Sequence, residues 1–143
     1  MKRDRDDTDF REVRASYDRR EPGCPFCAMP EERVVAANEL AYAVRDAYPV
    51  TDLHTLVIPK RRTPSYFGLG SAEAKACHLL LERAREEIRA EDSSVEGFNV
   101  GVNDGAAGQT VAHAHVHLIP RRRGDVEDPR GGVRHLIPGK GYY

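Results

Sequence analysis

The sequence predicts a small mixed domain in which an antiparallel meander of short strands accompanies one long helix. Short runs of β-favouring residues recur between turn residues, whereas residues 71–91 carry an apolar stripe at helical spacing. The chain has 143 residues, enough for one domain that buries about two thirds of its unfolded surface. We therefore expect a single hydrophobic core that needs no disulfide.

The strands are predicted from runs of β-branched and apolar residues and from the turn residues that separate them. Asn38 and Glu39 form the first predicted turn, and Pro59 closes the third strand. In chain order, these strands cover residues 33–37, 40–45, 54–58 and 97–102.

The helix is predicted over residues 71–91. Ser71 is expected to cap its N-terminus, and Glu73 suits its first turn, where a negative charge is favourable. Its apolar stripe consists of Cys77, Leu80, Leu81, Ala84 and Ile88. We expect the Cys77 side chain to be buried in the core and the neighbouring His78 to be a partly exposed residue without a special role.

Three of the six histidines occupy alternate positions, at His113, His115 and His117. A strand of ~6–8 residues within 108–120 would place all three on one face, whereas a helix would turn His115 away from the other two. The opposite face of this fifth strand would carry Ala112, Ala114, Val116 and Leu118. The histidine face is therefore predicted to form a functional site, and the apolar face to pack in the core.

The residues alone leave three uses of the histidine face open. The imidazoles could ligate a metal, or one of them could attack phosphorus while its neighbours bind phosphate oxygens, or they could be ordinary surface histidines. The surroundings favour phosphate, because amides, hydrogen-bonding side chains and cations flank the strand and no carboxylate lies within it. These flanking residues are Gly105, Gly108, Gln109, Thr110, Arg121, Arg122 and Arg123.

Composition excludes several classes of protein. The net charge is −1, from 22 basic and 23 acidic residues, so we expect no nucleic-acid partner. No apolar run approaches the ~20 residues that cross a bilayer, and residues 1–9 are too charged for a signal peptide, so we expect no membrane partner and a cytoplasmic location. Three cysteines, two of them in a Cys-x-x-Cys pair, do not suggest a secreted disulfide framework.

The run His113-Ala-His115-Val-His117-Leu-Ile resembles the signature of the histidine-triad (HIT) superfamily, and a Gly-Gln-Thr-Val segment precedes it as is usual there. Asp46 and the segments 54–60 and 97–103 resemble further HIT landmarks in the right order. The resemblance thus covers residues 22–123, which we expect to form the HIT domain. Residues 1–21 are expected to form a charged N-terminal arm, and residues 124–143 a C-terminal extension rich in Gly, Pro and Arg.

The resemblance is to bacterial HIT proteins related to diadenosine polyphosphate hydrolases and to Hint-type nucleotide phosphoramidases. It implies an α+β fold with a mainly antiparallel five-stranded sheet and two helices, in a homodimer. It also implies a nucleotide hydrolase or nucleotidyl transferase that cleaves at the α-phosphorus of a purine nucleotide through a nucleotidyl-histidine intermediate, with no cofactor required. The substrate would be a dinucleoside polyphosphate or a nucleoside phosphoramidate or adenylate.

Two other functions compete with this one. The chain could be a nucleotide-binding or scaffold protein with incidental turnover, although a pure binder would be expected to lack His115 or His117, and both are present. A zinc-dependent hydrolase that uses the three histidines as ligands is the third possibility.

The resemblance assigns the catalytic roles position by position. His115 would be the nucleophile, and His117 would contact phosphate oxygens. His113 and His54 would shape the histidine cluster and hydrogen-bond to it. Thr110 stands where the Hint-type branch has a serine near the leaving group, and it could serve similarly.

The resemblance also implies a nucleotide-binding set. Asp46 would accept hydrogen bonds from the ribose hydroxyls, and Asn103 and Gln109 would contact phosphate oxygens. From its position in a loop alone, Asp46 could equally be a residue that caps a turn. Val44 and Phe26 are candidates for the apolar slot that holds the base.

Many bacterial members hold a structural zinc ion with a Cys-x-x-Cys pair, a histidine just after the Ile-Pro-Lys segment, and the first triad histidine. Cys24, Cys27 and His113 are present here, but Arg61 and Arg62 follow the Ile-Pro-Lys segment. Zinc could be held by three residues and completed by water or another residue. Alternatively, the two cysteines are simply small buried residues near a turn.

The C-terminal extension carries basic residues that suit phosphate. It could reach polyphosphate in its own site or across a dimer, or it could be a solvated tail. The basic residues concerned are Arg130, Arg134, His135 and Lys140.

Overall fold

The computed structural model describes residues 23–143, and the arm predicted for residues 1–21 lies outside this range. The described strands are β1 (Val34–Ala37), β2 (Ala41–Arg45), β3 (Thr55–Pro59), β4 (Val95–Gly101) and β5 (Val116–Arg122), and the helix is α1 (Ser71–Glu91). Short 3-10 turns cover Glu31–Arg33, Tyr66–Gly68 and Gly132–Leu136. The first four strands and the helix begin and end within two residues of the predicted positions.

The five strands form one sheet in the order β1-β2-β3-β5-β4, and every neighbouring pair is antiparallel. The expected α+β architecture with a five-stranded antiparallel sheet is therefore confirmed. The sheet is not a simple meander, because β5 is inserted between β3 and β4. His117 consequently pairs with Leu56 on one side and Gly101 on the other, at the centre of the sheet.

The family resemblance implies two helices, whereas residues 23–143 contain one α-helix, α1. Its N-cap is Gly70 and not Ser71, which is already helical. The buried Glu73 carboxylate accepts a hydrogen bond from the Gly70 N–H at 2.9 Å and so performs the capping that we expected of Ser71. No helix in this part of the chain is long and apolar enough to cross a membrane.

The two faces of the sheet are covered differently. The α1 stripe packs against one face, where two core clusters contain Ala36, Ala41, Ala43, Val57, Ala76, Cys77, Leu80, Val116, and then Ala84, Ile88, Val95, Leu118. On the other face, Tyr42, Val44, Leu56 and Ile58 pack with Phe26, Met29 and Val34. The segment that carries Cys24 and Cys27 therefore lies on the sheet face opposite the helix, and Cys77 is a core residue as expected.

The histidine row is only partly a strand. β5 begins at Val116, so His113 and His115 precede it, contrary to the prediction. The physical reason is a change of partner, because the Ala114 N–H donates to the Thr63 carbonyl at 2.7 Å and the strand ladder does not continue. Burial alternates only within β5, from Val116 onward, whereas His113, Ala114 and His115 are all buried and Ala112 is exposed.

Candidate active site

Three of the predicted histidines form a continuous cluster at the centre of the sheet. The His54 Nε2 and His117 Nδ1 atoms are 2.9 Å apart, and the His115 and His117 ring centroids are 5.2 Å apart. Phe26 packs edge-on against His115 at 5.0 Å and against His113 at 5.8 Å. The structure thus brings together all four histidines that the sequence singled out.

The main chain determines which nitrogen of His54 carries the proton. The Val50 N–H donates to His54 Nδ1 at 3.2 Å, and a backbone amide can only donate. The neutral His54 ring therefore carries its proton on Nε2 and donates it to His117 Nδ1. His117 in turn must carry its own proton on Nε2, a buried atom with no hydrogen-bond partner among residues 23–143.

His115 has the opposite tautomer. Its Nδ1 lies 2.8 Å from the His113 carbonyl oxygen, which can only accept, so Nδ1 carries the proton. The Nε2 atom of His115 therefore holds the free lone pair. A ring nitrogen with a lone pair thus stands next to the N–H donor of His117.

Burial favours the neutral forms of two histidines in this cluster, His54 and His117. Burial lowers the pKa of His54, although the charge of Asp46 acts in the opposite direction. Burial also lowers the pKa of His117, and the charges of His115 and His54 add to that effect. The Asp46 carboxylate lies 3.5 Å from His54 Nε2 and accepts a hydrogen bond from the Tyr48 N–H at 2.8 Å.

His113 faces the Cys-x-x-Cys pair. Its Nε2 donates to the Pro59 carbonyl oxygen at 2.7 Å, so Nδ1 carries the lone pair that can accept a hydrogen bond or ligate a metal. Nδ1 lies 3.3 Å from Cys24 Sγ and 3.6 Å from Cys27 Sγ. Sulfur and nitrogen ligands of a tetrahedral zinc ion are about 3.5 Å apart, so these three atoms fit a zinc ion.

A cation, the Arg62 guanidinium, lies within hydrogen-bond reach of Cys24. Burial raises the pKa of Cys24, but hydrogen bonds from Cys27, the Phe26 backbone and the Arg62 side chain lower it by more, so the net shift is downward. A guanidinium cannot ligate a metal, so any zinc ion has three protein ligands within the described residues. The sequence had identified Arg62 only as the position where a histidine is absent.

The three triad histidines do not form a common metal site. His113 Nδ1 faces the cysteines, His115 Nδ1 faces a carbonyl oxygen, and His117 Nδ1 faces His54. A second group of potential ligands, Asp46, His54 and His117, also lies close together. His54 Nε2 carries a proton there, because the Val50 N–H occupies Nδ1, so this group does not suit a metal either.

The glycine-rich loop after β4 is held by Gln109. Its amide group donates to the carbonyl oxygens of Pro64 and Val111, at 2.6 and 3.0 Å, and its Oε1 accepts from the Gly105 N–H at 2.9 Å. Thr110 follows on an exposed stretch.

Gly108 in this loop has φ +138°, and a Cβ atom there would lie 3.6 Å from the Asn103 side chain. Asn103 is exposed two residues beyond Gly101, which pairs with His117. The loop is therefore folded back on Asn103, at the end of the strand that pairs with His117.

The two candidates for the base slot differ in exposure. Val44 is 0% exposed, within the cluster of Tyr42, Leu56 and Ile58. Phe26 packs against that cluster from outside and is only partly buried. Of the two residues, only Phe26 offers surface beside His115.

The three arginines after the histidines do not serve the site as expected. Arg121 pairs with Asp125, Arg122 with Asp92, and Arg123 with Glu96. Each of the three guanidinium groups is thus paired with a carboxylate. Proximity in sequence suggested a phosphate contact, whereas each arginine pairs with a carboxylate four to thirty residues away.

Three basic residues of the C-terminal extension contact other parts of that extension. Arg130 pairs with Asp128 at 2.9 Å, and the Arg134 guanidinium lies 4.7 Å from the centre of the Tyr143 ring. The His135 ring contacts Tyr142 at 4.6 Å and donates to the Arg130 carbonyl oxygen at 2.7 Å. The extension is therefore folded on itself.

Comparisons with known proteins agree with this geometry. The HIT domain family matches residues 29–124, which is more than half of the chain. The chain belongs to the HIT domain family. An AP-4-A phosphorylase of Mycobacterium tuberculosis is 37% identical over 111 residues, which cover 73% of this chain and 56% of that protein.

Two further HIT relatives extend the comparison. A bis(5'-nucleosyl)-tetraphosphatase of Schizosaccharomyces pombe is 33% identical over 97 residues, which cover 67% of this chain and 53% of that enzyme. The chain thus spans just over half the length of the two named enzymes. The crystal structure of a zinc-bound histidine triad protein from Mycobacterium smegmatis superposes with a TM-score of 0.65 at 32% identity, over 72% of this chain and 78% of that one.

Proposed function

We propose that this HIT protein is a nucleotide hydrolase or nucleotidyl transferase that cleaves at the α-phosphorus of a purine nucleotide, with His115 as nucleophile. The observation that carries the proposal is the hydrogen bond from His115 Nδ1 to the His113 carbonyl oxygen, which leaves a lone pair on Nε2 beside the N–H of His117. The names of two relatives, an AP-4-A phosphorylase and a bis(5'-nucleosyl)-tetraphosphatase, support a dinucleoside polyphosphate as substrate.

In the first step, His115 Nε2 attacks the α-phosphorus and forms an N–P bond. The P–O bond to the leaving phosphate breaks, and its electron pair departs with that group. The Nδ1 proton stays on the ring, where the His113 carbonyl stabilises the cationic nucleotidyl-imidazole. In the second step, water or another acceptor attacks phosphorus, the N–P bond breaks, the acceptor's proton passes to solvent, and the ring is neutral again.

His117 serves this reaction as a hydrogen-bond donor. Its Nε2–H would point at an equatorial phosphate oxygen, where negative charge accumulates in the transition state. Loss of that proton would leave an anionic ring, because Nδ1 already accepts from His54. His117 therefore stabilises charge and does not transfer a proton.

The nucleotide would lie across the exposed side of this cluster. Asp46 is proposed to bind the ribose hydroxyls, Asn103 the phosphate oxygens, and Thr110 the leaving group. Phe26 would contact the base, with Val44 supporting the slot from the core.

Gln109 is proposed to act chiefly on the backbone. All its described hydrogen bonds hold the loop of residues 105–111, so its contribution is to fix the loop amides that would face the phosphates. A direct contact between Gln109 and phosphate, as the resemblance implies, would require one of these bonds to be exchanged.

A zinc ion is proposed at Cys24, Cys27 and His113. It would fasten the loop of residues 24–27 to the first triad histidine and take no part in the chemical step. The distances of 3.3 and 3.6 Å to His113 Nδ1 support it, as does the zinc-bound relative.

The decisive experiment replaces the nucleophile. His115→Asn is expected to lower turnover of diadenosine tetraphosphate by roughly 10³-fold or more while AMP binding, measured by calorimetry, is retained. His78→Asn, on the exposed face of α1, is the matched control and should behave as wild type. Full activity in His115→Asn would overturn the mechanism. AMP binding without turnover in the wild-type protein would instead favour a nucleotide-binding or scaffold role.

A further inference from the structure

The loop between β2 and β3 sets the proton positions in the histidine cluster. It is closed by main-chain hydrogen bonds from Asp46 N to the His54 carbonyl at 2.8 Å and from His54 N to the Thr51 carbonyl at 3.2 Å. Leu53 turns the chain with φ +70°, a conformation that costs a non-glycine residue energy. The Val50 N–H is the part of this loop that contacts His54 Nδ1.

That single N–H contact determines how His117 presents its proton. If the Val50 N–H moved away, His54 could carry its proton on Nδ1, and its Nε2 would then accept a hydrogen bond from His117 Nδ1. The His117 proton would shift from Nε2 to Nδ1, and the donor proposed for phosphate would become a lone pair. The position of this one loop amide therefore determines which nitrogen carries the proton on both rings.

The side chains hold the two halves of this loop unequally. Leu53 packs against the core cluster beneath α1, whereas Tyr48 is 89% exposed and Val50 71% exposed. The part of the loop that carries the Val50 N–H is therefore held by polar contacts and not by core packing.

Arg122, the last residue of β5, makes polar contacts with this loop. Its Nη1 donates to Thr51 Oγ1 at 2.8 Å, and its Nη2 donates to the Asp52 carbonyl oxygen at 3.1 Å. The same guanidinium donates to Asp92, the C-cap residue of α1, at 2.9 and 3.0 Å. Arg122 thus joins the loop to the end of the helix and to the strand that carries His117.

We propose that Arg122 is a positioning residue of the site: it tethers residues 51–52 so that the Val50 N–H stays on His54 Nδ1 and His117 keeps its proton on Nε2. This role in catalysis rests on the function proposed above, whereas its effect on the ring tautomers does not. Arg122 lies five residues beyond His117 and acts through the loop and not by touching the nucleotide.

The test compares neighbouring arginines. Arg122→Gln removes the tether, and Arg121→Gln is the matched control, because Arg121 pairs with Asp125 and Asn99 and not with the loop. Long-range ¹H–¹⁵N spectra of the imidazoles report which ring nitrogen carries the proton. We expect the wild type and Arg121→Gln to show His54 and His117 protonated at Nε2, and Arg122→Gln to show signal from the Nδ1 tautomers.

Unchanged imidazole spectra in a folded Arg122→Gln protein would overturn the proposal. Thr51→Val tests the same tether if Arg122→Gln fails to fold, since it deletes one hydrogen bond and leaves the Arg122–Asp92 pair intact. It should shift the spectra in the same direction to a smaller extent, and identical spectra in this variant would also contradict the tether.

Kinetics then separate this proposal from the proposed function. Arg122→Gln should lower kcat for a dinucleoside polyphosphate about tenfold or more with little change in KM, since misplaced catalytic groups slow the step after binding. The same substitution in a His54→Asn background should have almost no further effect, and an undiminished effect there would contradict the tether. Absence of turnover in the wild type would refute the function, while the spectra would still decide the role of Arg122.

Discussion

His113 Nδ1 lies 3.3 Å from Cys24 Sγ, while the opposite nitrogen of the ring donates to the Pro59 carbonyl. The first histidine of the triad is thus a junction between the loop of residues 24–27 and the sheet. The catalytic part of the row is confined to His115 and His117 in our proposal.

The first prediction concerns zinc binding where His113 contacts the two cysteines. Protein purified without a metal-binding tag is expected to contain about one equivalent of zinc by elemental analysis, because three donor atoms converge and the unprotonated Nδ1 of His113 faces the two sulfur atoms. Cys27→Ser should lose most of it, and Cys77→Ser, a substitution in the helix core, should retain it. Metal-free wild-type protein would show that the cysteines are structural residues only.

The buried ion pair beneath α1 is expected to dominate local stability. The Glu73 carboxylate is 1% exposed and accepts two hydrogen bonds from Arg61, at 2.7 and 3.0 Å. Glu73→Ala would strand the Arg61 cation and lower the free energy of unfolding by about 3–5 kcal/mol in urea denaturation.

Glu82→Gln is the control for that measurement. Glu82 pairs with His78 on the exposed face of the helix, so its loss should cost about 0–0.5 kcal/mol. Equal decreases in the free energy of unfolding would show that the buried Arg61–Glu73 pair stabilises the fold no more than an exposed pair does.

Stability should fall as the pH is lowered through the ordinary histidine range. Burial lowers the pKa values of His54 and His117 in the folded protein below the ordinary histidine value of about 6.5. The unfolded chain therefore binds more protons than the folded one below that pH, and the free energy of unfolding decreases there by up to about 1.4 kcal/mol per pH unit for each histidine. Above pH 7 both states are neutral at these residues and the contribution is constant.

Urea denaturation between pH 5 and pH 8 measures this slope. His117→Asn should flatten it, whereas His78→Asn, at an exposed position, should leave it unchanged. A slope that persists in His117→Asn and disappears in His78→Asn would contradict the assignment.

Two copies of the chain are expected to associate through β4, which lies at one edge of the sheet. Val100 on this strand is 52% exposed, beside a groove that includes Phe67 and Leu81. Val100→Lys should shift the molar mass measured by light scattering from dimer to monomer, because a charge would be buried at the interface. Val35→Lys, on β1 at the other edge, should leave the mass unchanged, and a monomeric wild type would refute the dimer.

Local sequence patterns predicted the first four strands and the helix well. The alternation of apolar and polar residues in a strand and the apolar stripe of α1 both depend only on residues close in sequence. The end of the ladder before Val116 was missed because it depends on Thr63, whose carbonyl binds Ala114 from fifty residues away. The site was predicted as a set of residue types. Its proton positions were not, since the Val50 N–H is a main-chain group that no side-chain pattern reveals.

The arginines after the triad show the same limit. A run of cations beside a phosphate motif suggests a phosphate contact, yet Arg122 is satisfied by Asp92 and Thr51. The position of β5 between β3 and β4 determines which carboxylate pairs with each arginine. The sequence alone did not predict that strand order.

The burial of Cys77 gives the molecule a simple chemical readout. Its side chain lies in the core beside Glu73, and burial raises the pKa of its thiol to about 12. At neutral pH an alkylating reagent should therefore react slowly with Cys77, whereas Cys27, whose side chain is only partly buried, should react faster. The rate at which Cys27 is labelled, followed by mass spectrometry, therefore reports whether the loop of residues 24–27 stays in contact with His113.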